Sequence, residues 1–373
     1  MSVSQPIQFR APLAEYEPEA TALLAAVHSR DEAAEWRFKW LHPCFRGKPV
    51  TAVRDAALEL ADAQAVIAQE YGFQNWAELV AFTQAVALDG PVVEFESAVE
   101  AVVSGDVTTL RALLARHPDL ARRRSTRRHH ATLLHYVAAN GVEGARQRTP
   151  PNAPEVARLL LEAGAEVDAL ADMYDQKCTT MSMLVSSCHP AQAGLQIQLA
   201  ELLLDYGAAL DGPGSKWQSA LMTALAFGYL DTAETLARRG ARVENLAVAA
   251  GLGRLAEVTR LYPIADAQER QIALALAAQH GQTNVVKFLL KAGEDPNRYN
   301  PDGFHSHSTP LHEAVCAGHG ETVRLLVESG ARLDIRDLVY EGTPLGWAIH
   351  CKQSEIADYL RARPSANRSL QIE

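Results

Sequence analysis

The chain has no apolar stretch long enough to span a bilayer, and its first residues, M-S-V-S-Q-P-I-Q-F-R, hold no run that could serve as a secretory core. A soluble, cytoplasmic protein is the expectation. Positive charge is scarce: 35 Lys and Arg face 45 Asp and Glu, a formal net charge of −10 over 373 residues. That balance argues against generic affinity for nucleic-acid phosphates or anionic membranes. Cysteine is sparse and scattered. Cys44, Cys178, Cys188, Cys316 and Cys351 form no C-x-x-C pair, which fits structural thiols in a reducing compartment. Catalytic signatures are missing as well, with no G-x-S-x-G, no Walker-type phosphate loop and no H-E-x-x-H. Gly251-Leu252-Gly253 lacks a third glycine at the spacing a dinucleotide loop needs. Cys178, Cys188 and Cys316 each have a histidine nearby in sequence, but spacing alone does not activate a thiol. The expectation is a non-enzymatic chain with no cofactor and no metal.

What the sequence does contain is a repeat. Thr309-Pro310-Leu311-His312 opens a stretch ending at Gly330-Ala331 and Leu333-Asp334, and Thr343-Pro344-Leu345 begins again 34 residues after Thr309. A period in the low thirties is the mark of stacked helical repeats. Thr309 supplies a hydroxyl at a helix start, and Pro310 occupies the first helical position, where a missing N–H costs nothing. Leu311, Ala314 and Val315 form a short apolar face closed by Gly318. Val323, Leu325, Leu326 and Val327 form a second, ended by Gly330. Neither helix can bury its face alone, so each repeat must stack on its neighbours.

These residues resemble the ankyrin repeat, whose pattern runs T-P-L-H-x-A-A-x-x-G-H, then a helix ending L-L-x-x-G-A, then a finger. Weaker copies cover residues 95–120, 132–168, 180–211, 219–243, 246–261, 273–297 and 343–360, giving about eight units. The resemblance implies an all-α ankyrin-repeat solenoid in which His312 makes structural hydrogen bonds between finger turns. The expected plan is a flexible tail over 1–12, a helical N-terminal cap over 13–90, the array over 91–363 and a flexible tail over 364–373. The fifth unit has Pro263 and the polar run 266–271 in place of a finger, so the array is expected to bend or split near 262–272.

Residues 19–27 and 30–40 read as helices, broken by His42-Pro43 and Gly47-Lys48-Pro49. A longer amphipathic helix is expected over 53–71, with Ala57, Leu60, Ala61, Ala65 and Ala68 facing inward, before Gly72 and a further helix anchored by Phe73, Trp76 and Leu79. This segment is similar to helical leaders found ahead of bacterial ankyrin arrays and reads as a cap over the solenoid's apolar end. A DNA-binding helix-turn-helix is the alternative. The helix after Gly72 has Glu78 and no Lys or Arg before Asp89, so it suits phosphates poorly.

Three features break the regular pattern. Arg122, Arg123, Arg124, Arg127 and Arg128 make a dense basic run, able to hold an acidic peptide, a phosphate or RNA, or simply to cap helix C-termini. Insertions at 142–153 and 187–194 separate the two helices of consecutive units and are expected to lie side by side, with Asn152 and Glu155 capping the helix that resumes. His305 and His307 have an H-x-H spacing without further ligands to complete a tetrahedral set, and read as surface groups.

In ankyrin arrays the fingers and inner helices form the usual contact face. Carried onto this chain, that implies partner contacts at Tyr174, Asp175, Lys216, Trp217, Phe304, His305, Tyr340 and Glu341, since aromatics on polar turns suit binding anchors. The leading expectation is a scaffold, monomeric by preference, that recognises a protein or peptide partner. One alternative is a small-ligand or catalytic pocket near 142–153 and 187–194. The other is nucleic-acid binding through the N-terminal helices and the 122–128 arginines.

Overall fold

The computed structural model describes residues 9–211 and 219–363. The chain divides into two compact units, Met1–Gln218 and Ser219–Glu373.

Unit 1 opens with α1 (Leu13–His28), α2 (Glu32–Leu41), α3 (Thr51–Arg54), α4 (Leu60–Glu70) and α5 (Trp76–Val86). Their apolar faces share one core, from Ala11 through Phe38, Ile67 and Leu79 to Val93. Ala11 is buried there, so the packed chain starts before residue 13. The single helix expected over 53–71 is two. Glu59 and Asp62 form a reciprocal capping box that starts α4 afresh, and the backbone N–H of Glu59 donates to Asp62 Oδ2 at 2.8 Å. The helical phase therefore restarts at Leu60. Ala57, Leu60 and Ala61 face solvent and Ala65 is half-buried, whereas Ala63, Val66, Ile67 and Ala68 are buried.

The repeats follow as helix pairs. In unit 1 these are α6 (Pro91–Ser104) with α7 (Val107–Arg116), α8 (Leu133–Val137) with α9 (Ala153–Glu162), and α10 (Thr180–Leu184) with α12 (Gln196–Asp205). Between the last two lies α11 (Cys188–Gln192), formed by the second insertion. A two-stranded antiparallel hairpin, β1 (Ala171–Met173) and β2 (Gln176–Cys178), makes one finger, with Met173 opposite Gln176. Unit 2 holds α13 (Ala220–Ala226) with α14 (Leu230–Arg238), α15 (Leu246–Gly251) with α16 (Leu255–Leu261), and α17 (Ala267–Gln279) with α18 (Thr283–Lys291). It ends with α19 (Pro310–Cys316) and α20 (Gly320–Glu328), then α21 (Pro344–His350) and α22 (Ser354–Arg361). The described residues thus form an all-α repeat solenoid of paired helices, preceded by five helices of another kind.

Local chemistry explains the regular units. Thr309 and His312 form a capping box at the start of α19, where the backbone N–H of Thr309 donates to His312 Nδ1 at 3.3 Å. That fixes the proton on Nε2, which donates to the Gly342 carbonyl of the next finger at 3.2 Å. Thr132 and His135 repeat the device, with His135 Nε2 donating to Cys178 O at 3.3 Å. Gly330 adopts φ 94°, which lets Ala331 N reach back to Leu326 O at 3.0 Å and close α20. Leu311, Val315, Val323 and Leu326 are at most 1 % exposed, and burial of each contributes about 1.5–3 kcal/mol.

The array does not split near 262–272, because one core runs from Leu246 through Leu274 and Leu289 to Leu360. A longer helix, α17, takes the place of the missing finger. Glu269 accepts from Leu246 N at 2.7 Å, and Tyr262 packs edge-on against Phe288 and donates to Glu294 at 2.7 Å. The cysteines also differ from scattered thiols. Cys316 and Cys351, on neighbouring repeats with Cα atoms 5.4 Å apart, form a disulfide. No helix among the described residues is long and apolar enough to cross a membrane.

Candidate partner-binding surfaces

Of the finger residues singled out from the sequence, Tyr340 and Glu341 sit on an exposed turn. Residues 337–342 read Asp-Leu-Val-Tyr-Glu-Gly, and the turn is built around the carboxylate of Asp337. Its Oδ1 accepts from the backbone N–H of Val339 at 2.9 Å and of Tyr340 at 2.6 Å. Its Oδ2 accepts from Gly342 N at 2.7 Å and from Trp347 Nε1 at 3.0 Å. Burial works against the charge on Asp337, but these four donors outweigh it and hold the carboxyl below its ordinary range. A Cβ on Gly342 would stand 2.9 Å from Trp347 Cδ1 and 3.0 Å from Asp337 Oδ2, so only glycine lets the brace close. The result is a rigid tip presenting Leu338 (65 % exposed), Val339 and Tyr340 (67 %) to solvent. Glu341 adopts φ 55°, and Arg336 donates to its carbonyl at 2.7 Å.

The preceding finger packs against this one. Leu338 N donates to His307 O at 2.8 Å, and the His307 ring lies 6.3 Å from Tyr340 and 5.9 Å from Trp347. Phe304 is buried and offers no contact area. His305 is half-buried, with Nε2 donating to Ala226 O at 3.0 Å. Lys216 and Trp217 lie outside the described residues. Leu338, Val339 and the Asp337 brace escaped the sequence reading, although three consecutive apolar residues on a turn were a usable signal.

In unit 1 the arginines of the run are engaged by other groups of the protein, although only Arg127 is buried and Arg122, Arg124 and Arg128 stay exposed. Arg122 Nε donates to Gly164 O, just beyond the end of α9, at 2.8 Å, and Arg124 donates to the carbonyls of His130 and Leu170. Arg123 pairs with Asp119 and Glu94. Arg127 is buried beneath α4 and α5: it donates to Tyr71 O at 2.8 Å, pairs with Glu96 at 3.2 Å and with Glu143, and lies over the rings of Phe82 and Phe73 at 4.3 and 4.8 Å. Burial opposes its charge, but Glu96 and Glu143 overcome this and hold the guanidinium protonated. Glu143 is held well below the ordinary carboxyl range by Arg127, His129 and Arg146 against the cost of burial. Arg127 and Arg128, whose Nη1 donates to Gln69 Oε1 at 2.7 Å, therefore join the leading helices to the first repeats. Arg128 alone of the five lines the open cleft described below.

The insertion 142–153 takes part in this network. Glu143 and Arg146 are both buried, and Arg146 pairs with Glu96. Asn152 does not cap α9 through its side chain. Its Nδ2 instead donates to Gly105 O of the previous unit at 2.9 Å. The two insertions begin beside one another, since Ser187 Oγ donates to Ala139 O at 3.0 Å and Asn140 Nδ2 to Ser186 Oγ at 2.9 Å. Of the cysteines near them, Cys178 is buried and its thiol is pushed up to about 11, so it stays protonated at neutral pH, while Cys188 is exposed.

Tyr174 and Asp175 form the tip of the β1–β2 finger, both left-handed at φ 52° and 59°. The Tyr174 hydroxyl donates to Asn140 Oδ1 at 2.6 Å. This finger forms one wall of a cleft of about 840 Å³ whose other wall includes Lys39, Trp40 and Arg46.

Comparison with known proteins agrees with this architecture. The family model described as "Ankyrin repeats (3 copies)" matches residues 246–337 and 274–369. An ankyrin repeat-containing protein of Schizosaccharomyces pombe is 37 % identical over 95 residues, or 26 % of this chain and 42 % of that protein, so the chain spans less than half of that relative's length. Cyclin-dependent kinase 4 inhibitor B of Bos taurus is 31 % identical over 118 residues, which cover 24 % of this chain and 89 % of the inhibitor. Among solved structures, the ankyrin repeat domain of human ASB11 aligns over 72 % of this chain and 99 % of its own, at 19 % identity and a TM-score of 0.37. The capped Thr-Pro-Leu-His helix α19, the glycine-closed outer helices, the family-model match and the match to the bovine kinase inhibitor place the chain in the ankyrin repeat family.

Proposed function

We propose that this protein is a non-enzymatic scaffold that holds a protein or peptide partner against the fingers of its C-terminal repeats. Ankyrin repeats are in general protein–protein interaction modules, which sets the class of function. The observation that carries the reading to a place is the braced turn at 337–342, which presents Leu338, Val339 and Tyr340 to solvent on a carboxylate that accepts four hydrogen bonds. Such a tip gives a partner apolar area with little ordering entropy left to lose, the property of a binding anchor. Tyr174 and Asp175 on the unit 1 finger, with Lys216, Trp217 and His305, make up the remaining proposed contacts.

The test compares the wild type with Leu338→Ser/Tyr340→Ser as baits on tagged full-length chain. Proteins captured by the wild type should be lost with the variant, while its urea midpoint stays unchanged, because neither side chain is in the core. Equal capture by both baits would remove the finger from the interface.

A further inference from the structure

The cleft of unit 1 is a second feature, separate from the 337–342 finger and assembled by elements far apart in sequence. It encloses about 840 Å³ between the end of α2 and the β1–β2 finger. Two aromatic side chains face this space without belonging to the core: Trp40 is 58 % exposed and Tyr174 is 64 % exposed. Both are held in place. Trp40 stacks on Trp36 with 6.0 Å between centroids and 17° between planes, and Lys39 Nζ sits 4.7 Å from its ring centre. Tyr174 is fixed by its hydrogen bond to Asn140 and by its left-handed backbone. Rigid aromatic walls reduce the entropy lost when an apolar group settles between them.

The charges on the lining are unevenly matched. Its acids already have partners: Glu70 pairs with Arg37, Asp172 with Lys177 and His130, and the buried Glu143 with Arg127. Its cations exceed their partners. Arg46 and Arg128 share the single carboxylate of Asp175, at 3.6 and 3.3 Å, and Lys39 has no carboxylate partner among the described residues. The Asp175 side chain is 73 % exposed. Exposed ion pairs of this kind contribute between nothing and about 1 kcal/mol, so an incoming carboxylate joins or replaces Asp175 at little cost.

We propose that this cleft binds an acidic peptide segment of a partner protein, with an apolar side chain between Trp40 and Tyr174 and carboxylates on Lys39, Arg46 and Arg128. A peptide suits the lining better than a nucleic acid does. The basic groups are few and interleaved with Glu70, Asp172 and Asp175, and the whole chain carries −10, so a continuous polyanion meets repulsion beyond the three cations. Gln176 in the lining adds an amide group able to pair with a peptide backbone.

The experiment is a fluorescence-anisotropy titration of the full chain into a labelled peptide library of Asp/Glu-rich sequences with one central Leu or Phe. A same-length oligouridylate runs in parallel. Saturable binding to acidic peptides is expected, weakened by added salt and by about tenfold or more in Lys39→Glu/Arg46→Glu and in Trp40→Ala. Leu338→Ser/Tyr340→Ser should leave it unchanged, which separates this site from the finger. Far-UV circular dichroism of each variant guards against misfolding, and Lys39→Gln serves as the milder substitution if charge reversal perturbs it. The proposal is overturned if no acidic peptide saturates, if folded cleft variants bind as well as the wild type, or if the oligouridylate binds more tightly than every peptide.

Discussion

Replacing Glu96 with alanine tests whether buried charge holds the leading helices to the repeats. Glu96 is 1 % exposed on α6, and its Oε2 pairs with both Arg127 and Arg146. Those guanidiniums have side-chain exposures of 3 % and 9 %. In Glu96→Ala, Arg127 keeps Glu143, but Arg146 loses the only carboxylate within ion-pair distance among the described residues. Breaking one side of a buried pair costs about 3–5 kcal/mol, because the partner charge stays out of water without compensation. Native-state hydrogen exchange reads this region by region, which a single melting curve of a two-unit chain does not. Protection in α4, α6 and α8 should fall by about two to four orders of magnitude, taking about 1.4 kcal/mol per tenfold. Protection in α15 to α20, which belong to the other unit, should hold. Unchanged exchange in α4 and α6, or equal losses in both units, would refute the reasoning. The fourfold change Glu96→Leu/Arg127→Met/Glu143→Gln/Arg146→Met should cost less than the single change, since it removes the buried charges of the network together.

Acidification should weaken both units. Burial lowers His135 in unit 1 and His280 in unit 2 from 6.5 to about 4. Both are therefore neutral when folded, and the unfolded chain takes up their protons first. Their stabilisation is complete above pH 6.5 and is lost as pH falls towards about 4, by up to about 3 kcal/mol for each histidine. Urea midpoints measured across that window should fall, and less steeply in His280→Gln for signals from unit 2; a slope that does not change in that variant counts against the account. Reducing Cys316–Cys351 should raise hydrogen exchange in α21 and α22, the last helix pair, while α15 to α18 keep their protection. No change in α21 would mean that packing alone secures that pair.

The sequence reading succeeded where a residue's role is local. Thr309 and His312 close a capping box within one turn, Pro310 occupies the first helical position, and Gly330 takes the left-handed conformation that ends α20. Each role depends on the residue's own backbone and near neighbours, so the pattern survives in the linear text and repeats about every 34 residues. The reading failed at α4 for a related reason. Glu59 is an uncommon capping residue, and reading an unbroken helix through it displaces part of the inward face from Ala63, Val66 and Ile67 to Ala57, Leu60 and Ala61, which are exposed, while Ala68 is buried as expected.

By itself, then, the sequence determined the repeat, its helix pairs and the fold class, because stacked repeats are specified by short-range caps and apolar spacing. Tertiary structure alone decided where the charges went. An arginine reads the same on paper whether it meets solvent or a carboxylate, and only packing put Arg127 between Phe73, Phe82, Glu96 and Glu143 while leaving Arg46 and Arg128 to share Asp175. The same holds for Asp337, whose four donors come from its own turn and from Trp347, and for Cys316, whose partner lies one repeat further along the chain. Long-range pairing depends on distances that the order of residues does not state.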